Sequence, residues 1–136
     1  MLKSVLILFI SWIFFVVMDL VWIGYLARDQ YVEKLSPLLR YSDGRYNVVW
    51  WAALLVWFFI VLGSYVFVLP IIKDKSFMHA LWYGALFGLV LYAVYDLTNY
   101  SLLKGWPLSV TMLDIAWGAF VNAMLAVCMW LLYKNI

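Results

Sequence analysis

Three aspartates interrupt an otherwise apolar chain, and they are the residues best equipped for chemistry. Asp96 stands in Tyr95-Asp96-Leu97-Thr98-Asn99-Tyr100, Asp114 in Leu113-Asp114-Ile115-Ala116-Trp117-Gly118, and Asp19 in Met18-Asp19-Leu20-Val21-Trp22. Ionisable groups inside membrane-grade sequence are costly, so they normally face a bundle interior and mark a site. Carboxylates there can serve as general acid and base, as steps in a proton relay, or as oxygen ligands of a divalent cation. Asp96 and Asp114 are the expected catalytic pair, with Asp19 tuning or orienting them. No DxxD-type cluster lies on one helix, and no CxxC or Cys/His spacing exists, so no metal site is expected and no cofactor is indicated.

The elements that must hold these groups follow from composition. Of 136 residues, 69% are hydrophobic, 21% aromatic and only 12% charged, and the mean hydropathy is +1.01. Soluble domains are nearer half apolar and about a quarter charged. A spanning helix needs about 20 mostly apolar residues, which leaves room for four spans and little else. The expected fold is an all-α integral membrane protein, a four-transmembrane-helix bundle forming a single domain over residues 1–136. The spans are read at 5–27, 46–69, 77–103 and 109–133. Span 2 is expected to stop at Pro70, which lacks an amide proton, and Ser76 is the expected N-cap of span 3.

The first span opens with Met1-Leu2-Lys3, as a signal peptide would. Its apolar run is too long, no small-residue cleavage site closes it, and Asp19 lies inside it, so it reads as a retained helix. The single cysteine, Cys128, cannot form an intrachain disulfide. The net charge of +2 is spread over the connections without an arm or stripe, and nucleic acid is excluded as a partner on that ground.

Four spans put both termini on one side. Lys3, Lys73, Lys75 and Lys134 lie there, against Arg28, Lys34, Arg40, Arg45 and Lys104 on the other. The terminal-side lysines sit tightly against the span ends, which points to cytoplasmic termini. Within the long connection 28–45, Tyr31, Leu35, Leu38 and Leu39 recur at helical spacing. That suits an amphipathic segment in the interface, bent by Pro37, or a solvated loop with a few apolar anchors. Ser42-Asp43-Gly44 is a turn signal.

The chain carries a candidate internal repeat. Met18-Asp19-Leu20 in span 1 matches Tyr95-Asp96-Leu97 in span 3. Asn47-Val48-Val49-Trp50 at the start of span 2 matches Asp114-Ile115-Ala116-Trp117 in span 4. Two tandem hairpins related as a parallel repeat, about an axis along the membrane normal, would result.

Helical spacing assembles the remaining site. Tyr92, Asp96, Asn99 and Tyr100 share one face of span 3 through i, i+3 and i+4 offsets. Asp19 and Trp22 do so on span 1, and Asp114, Trp117, Val121 and Asn122 on span 4. With a rise of about 1.5 Å per residue the three acids fall at similar depth, and Asn47 is shallower. The expected cavity has carboxylates at its rim and Asn122 deeper, with Trp22, Trp50 and Trp117 as walls. Asn99, Tyr100 and Asn122 would position a substrate. The structural alternative is that these groups merely bond helix to helix, at about 0.6 kcal/mol each on average. One Asn fits that description; three acids each need pairing, water or a proton. His79 starts span 3 far from the acids. Gly84-Ala85-Leu86-Phe87-Gly88 is a GxxxG match that suits close helix packing or a dimer seam.

The segments Met18-Asp19-Leu20-Val21-Trp22, Tyr95-Asp96-Leu97-Thr98-Asn99-Tyr100, and Gly105-Trp106-Pro107 leading to Asp114-Ile115-Ala116-Trp117-Gly118 carry a resemblance. Over nearly its whole length the chain resembles a bacterial family of small predicted membrane proteins of unknown function. The resemblance implies a four-helix body in the bacterial inner membrane and brings no activity with it.

Three functional classes remain. The first is a small membrane enzyme, or enzyme subunit, that binds a lipid or other apolar substrate, aromatic walls suiting an apolar ligand with a polar end. The second is a proton- or cation-coupled small carrier working as a homodimer, since four helices are few for a complete pathway. The third is a non-catalytic membrane partner protein that docks through the glycine seam. A cleft opening sideways to lipid favours the first, and a path open to both water faces the second.

Overall fold

The computed structural model describes residues 1–136. Four helices are long and apolar enough to cross a membrane: α1 (Leu2–Leu26), α3 (Trp50–Ile72), α4 (Phe77–Leu102) and α5 (Leu108–Asn135). A short helix, α2 (Arg28–Leu35), and a two-stranded hairpin, β1 (Tyr41–Ser42) with β2 (Arg45–Tyr46), fill the first connection. The protein is an all-α, four-span integral membrane protein, with that small hairpin as its only sheet.

One span differs from its expected range at both ends, for identifiable reasons. α3 begins at Trp50, not at residue 46, because Arg45 and Tyr46 pair with Ser42 and Tyr41 instead. Asp43 and Gly44 both adopt positive φ, +51° and +73°, as a two-residue hairpin turn matched to strand twist requires. Arg28 clamps that turn, its Nη2 donating to the Tyr41 hydroxyl and the Gly44 carbonyl, each at 2.8 Å. At the other end, α3 runs through Pro70 to Ile72. A π-helical stretch over Ser64–Val68 shifts the ladder, and the Leu69 amide donates to Ser64 O. Pro70 then falls in the first turn of the next regular segment, where its missing amide proton is not required. Ser76 does sit at the N-cap of α4, but its hydroxyl pairs with His79 Nδ1 at 2.9 Å and caps no backbone amide.

α5 is the central helix. It packs along α4, against α1, and against the lower part of α3. Lipid solvates apolar side chains as well as a core does, so helix association here rests on close packing and hydrogen bonds. Glycines supply the closeness. A Cβ at Gly88 would overlap the Gly118 carbonyl oxygen, one at Gly84 would lie 2.5 Å from the Asn122 carbonyl oxygen, and one at Gly118 would overlap the Tyr92 ring. The GxxxG pair is therefore occupied by this chain's own α5.

The main core runs down the terminal half of the bundle through Ile7, Phe15, Val61, Ile72, Leu125 and Met129. A second, smaller core gathers Ala27, Tyr31, Leu35 and Val110, with Trp22, Leu39, Trp106 and Leu113 packed against it. In the first connection the helical part is confined to Arg28–Leu35 and ends before Pro37. Its Tyr31 and Leu35 are buried against the start of α5 and cap the loop end of the bundle.

Candidate functional site

The polar chemistry of the bundle concentrates where α1, α5 and the α2 cap meet. Asp19 is 6% exposed and accepts two indole N–H groups, from Trp57 on Oδ2 at 2.7 Å and from Trp117 on Oδ1 at 2.9 Å. One carboxyl on α1 thereby ties down α3 and α5. The Trp117 ring stacks on Trp22, centroids 4.3 Å apart and planes 3° from parallel. Trp22 Nε1 donates to the Tyr31 hydroxyl at 3.1 Å, and that hydroxyl donates to Asp114 Oδ1. Tyr31 uses its O–H as acceptor and donor at once, and so connects the α2 cap to α1 and α5. Asp114 is half-buried, and Oδ1 is the oxygen the protein engages.

Two adjoining cavities open onto this arrangement. One, of about 320 Å³, lies under the α2 cap and the hairpin, with Leu35, Leu39, Tyr46 and Trp106 at its loop end. The other, of about 370 Å³, lies between α3 and α4, walled by Val56, Trp57 and Ile60 on one side and Leu91 on the other. Asp19, Ile23, Tyr92, Tyr95 and Asp114 line both, so the two form a single bent cleft. α3 meets α4 mainly through its lower part, from about Gly63 on, where Gly63 faces the Phe87 ring. Above that point the two helices stand apart, and the cleft opens sideways past the exposed Val56 and Tyr95. Toward the termini the buried core closes it.

The Tyr46 hydroxyl is buried without a partner at the loop end of the first cavity. Burial pushes this phenol above its ordinary value, Arg28 opposing the shift. It is a neutral group free to donate or accept. Trp106, edge-on to Tyr95 at 6.2 Å, is held by a hydrogen bond from its Nε1 to Thr111 Oγ1 at 3.1 Å.

The residues singled out from sequence divide between the cleft and other places. Asp19, Trp22, Tyr92, Asp114 and Trp117 all line it. Asp96 does not. It is fully buried, and the antiparallel register set by Gly88 and Gly118 puts it opposite the first turns of α5. Neither of its oxygens has a hydrogen-bond partner, and neither does Asn99 Nδ2 one turn further on. Asn122 is also fully buried; its Nδ2 donates to Gly118 O at 2.9 Å, in the glycine seam. Asn47 precedes α3 and is exposed, its Nδ2 donating to Ser42 Oγ at 2.7 Å. Trp50 and Tyr100 are exposed on the outer surface. No three of the His, Cys, Asp and Glu side chains gather into a metal-holding group.

Two residues central to this geometry did not stand out in the sequence as site candidates. Trp57 is one of nine tryptophans in a chain with no polar neighbour to mark it. Tyr31 carried a usable signal, since it leads the apolar stripe of the connection, but only the folded chain brings it to Asp114.

Residues 4–131 match a family described as "Predicted membrane protein (DUF2177)". No curated protein matches the chain, and no solved structure does.

Proposed function

The chain belongs to this predicted-membrane-protein family, and we propose that it is a small membrane enzyme or enzyme subunit whose bent cleft binds a lipid or other amphipathic molecule from within the bilayer. The carrying observation is that the two cavities share Asp19, Ile23, Tyr92, Tyr95 and Asp114, and that the second of them lies between α3 and α4. Such a shape suits a ligand whose apolar part lies between the helices while its polar end reaches Asp114, Tyr31 and Tyr46. Pockets of a few hundred Å³ with apolar walls and few polar groups are the usual form of small-molecule sites. In this reading Asp114, hydrogen-bonded by Tyr31, is the acid–base group. Asp19 is the positioning residue that holds Trp57 and Trp117 in the wall.

Asp96 supports a second reading, a proton- or cation-coupled carrier. A fully buried carboxyl without a partner is what a relay would use, and Asp96 is not among the residues that line the cleft. The multi-pass chain fits the bacterial inner membrane with cytoplasmic termini. Lys3 lies 4.3 Å over the Tyr133 ring and Lys134 4.0 Å over Trp130, where basic residues and an aromatic belt coincide at the span ends.

Mass spectrometry of protein purified in mild detergent tests the site directly. A lipid or small molecule retained by the wild type and by Asp96→Asn, and lost in Asp114→Asn, is the expected result. A ligand-free wild type overturns a tight site in the cleft. Loss in Asp96→Asn alone transfers the chemistry to Asp96.

A further inference from the structure

The lining of the cleft selects the charge of what it binds. Neither cavity is lined by a lysine, arginine or histidine, and both are lined by Asp19 and Asp114. Of the basic residues in the first connection, Arg28 is engaged on Tyr41 and Gly44 and Lys34 on Ser109 Oγ at 3.0 Å, while Arg40 and Arg45 lie outside both linings. A phosphate or carboxylate head group would therefore meet no basic side chain in the lining, and would stand against two carboxyl groups in a medium of low dielectric.

A cation meets the opposite conditions. Asp19 has both oxygens committed to indole donors, which leaves Asp114 as the carboxylate able to receive one. Around Asp114, aromatic rings make up more than half of the first cavity's lining, among them Trp22, Tyr46, Trp106 and Trp117. Ring faces attract ammonium groups, most strongly where water is excluded. Charge-assisted hydrogen bonds to a carboxylate are stronger than neutral ones. Past this end, the lining turns to Ile23, Val56, Ile60 and Leu91, which can only accept hydrocarbon.

Building on the ligand-site reading above, we propose that the cleft binds an ammonium-bearing amphiphile, with its cationic head between Asp114 and the aromatic wall under the α2 cap, and its hydrocarbon part between α3 and α4. The ammonium can belong to a lipid head group or to a free long-chain amine; the recognising chemistry is the same.

The experiment uses the intact protein in a neutral maltoside detergent. Three probes with one tail length are titrated: decyltrimethylammonium, decanol and decanoate. Saturable quenching of tryptophan fluorescence is the readout. The ammonium is expected to bind about tenfold tighter than the alcohol, with decanoate weakest. In Asp114→Asn the ratio of ammonium to alcohol affinity should fall to within about twofold. Alcohol binding as tightly as ammonium in the wild type overturns the charge assignment and leaves the apolar cleft standing. No saturable binding by any of the three overturns both. Should Asp114→Asn fail to fold, Trp106→Leu takes its place: a ratio lowered about threefold supports the proposal, and an unchanged ratio overturns aromatic recognition. Phosphatidylethanolamine added to the micelles separates the two sources. Displacement of the bound probe assigns the ammonium to a lipid head group, and retention assigns it to a free amphiphile.

Discussion

Asp19 Oδ1 accepts the indole N–H of Trp117 at 2.9 Å although 98 residues separate the two. Its other oxygen takes Trp57 at 2.7 Å, so one side chain on α1 sets the position of rings on α3 and α5. An indole is a donor only, and each ring left without its acceptor is a buried N–H unsatisfied. Asp19→Leu should therefore destabilise the protein by about 2–4 kcal/mol, two orphaned donors at about 1–2 kcal/mol each. Trp57→Phe in the Asp19→Leu background should cost less than in the wild type, because the donor it removes is already unpaired. A double-mutant cycle on detergent unfolding measures this coupling; strict additivity of the two changes contradicts it.

Gly88 and Gly118 let α4 and α5 touch at the backbone. Gly88→Ala and Gly118→Ala each insert a methyl group where a carbonyl oxygen or the Tyr92 ring already lies. Overpacking of this kind costs about 1–3 kcal/mol. Gly24, whose added Cβ would meet nothing within 4 Å, is the control, and Gly24→Ala should stay within about 0.5 kcal/mol of wild type. Thermal unfolding in detergent ranks the three variants. A Gly88→Ala protein as stable as Gly24→Ala contradicts the seam.

Asp96 is buried with both oxygens unpartnered. If its carboxyl has no partner in the membrane either, Asp96→Val should raise stability by about 1–3 kcal/mol, the desolvation cost of an unmade hydrogen bond. A fall in unfolding temperature reveals a proton, water or cation held there in the working protein. That outcome favours the carrier reading.

The α2 cap is held by two buried side chains, Tyr31 and Leu35. Leu35 is buried in the second core, while Leu38, one turn later, is exposed. Leu35→Ala should cost about 2–3 kcal/mol of local docking free energy, and amide exchange across Arg28–Leu35 should then speed up by more than about tenfold. Leu38→Ala should change that exchange by less than about threefold. Equal effects at the two positions contradict the cap.

The membrane class, the four spans and the turn at Asp43-Gly44 are determined by the sequence alone, because each depends on local composition. An apolar run of about 20 residues must satisfy its own backbone as a helix, whatever it packs against. The polar faces of α1 and α5 were legible in the same way, since helical periodicity groups Asp19 with Trp22 and Asp114 with Trp117.

Periodicity says which face a residue shares, and it is silent on which helix that face meets. Asp96 and Asn122 sit on their expected stripes, yet Gly84, Gly88 and Gly118 draw α4 and α5 so close that both fall inside a two-helix seam and away from the cleft. Asn47 and Trp50 depended on where α3 begins, and hairpin pairing of Tyr46 with Tyr41 decided that. Tyr31 on Asp114, and Trp57 and Trp117 on Asp19, are meetings of residues far apart in the chain. Only the tertiary structure decides them, because such hydrogen bonds depend on helix rotation and crossing, which follow from the packing of all four spans together.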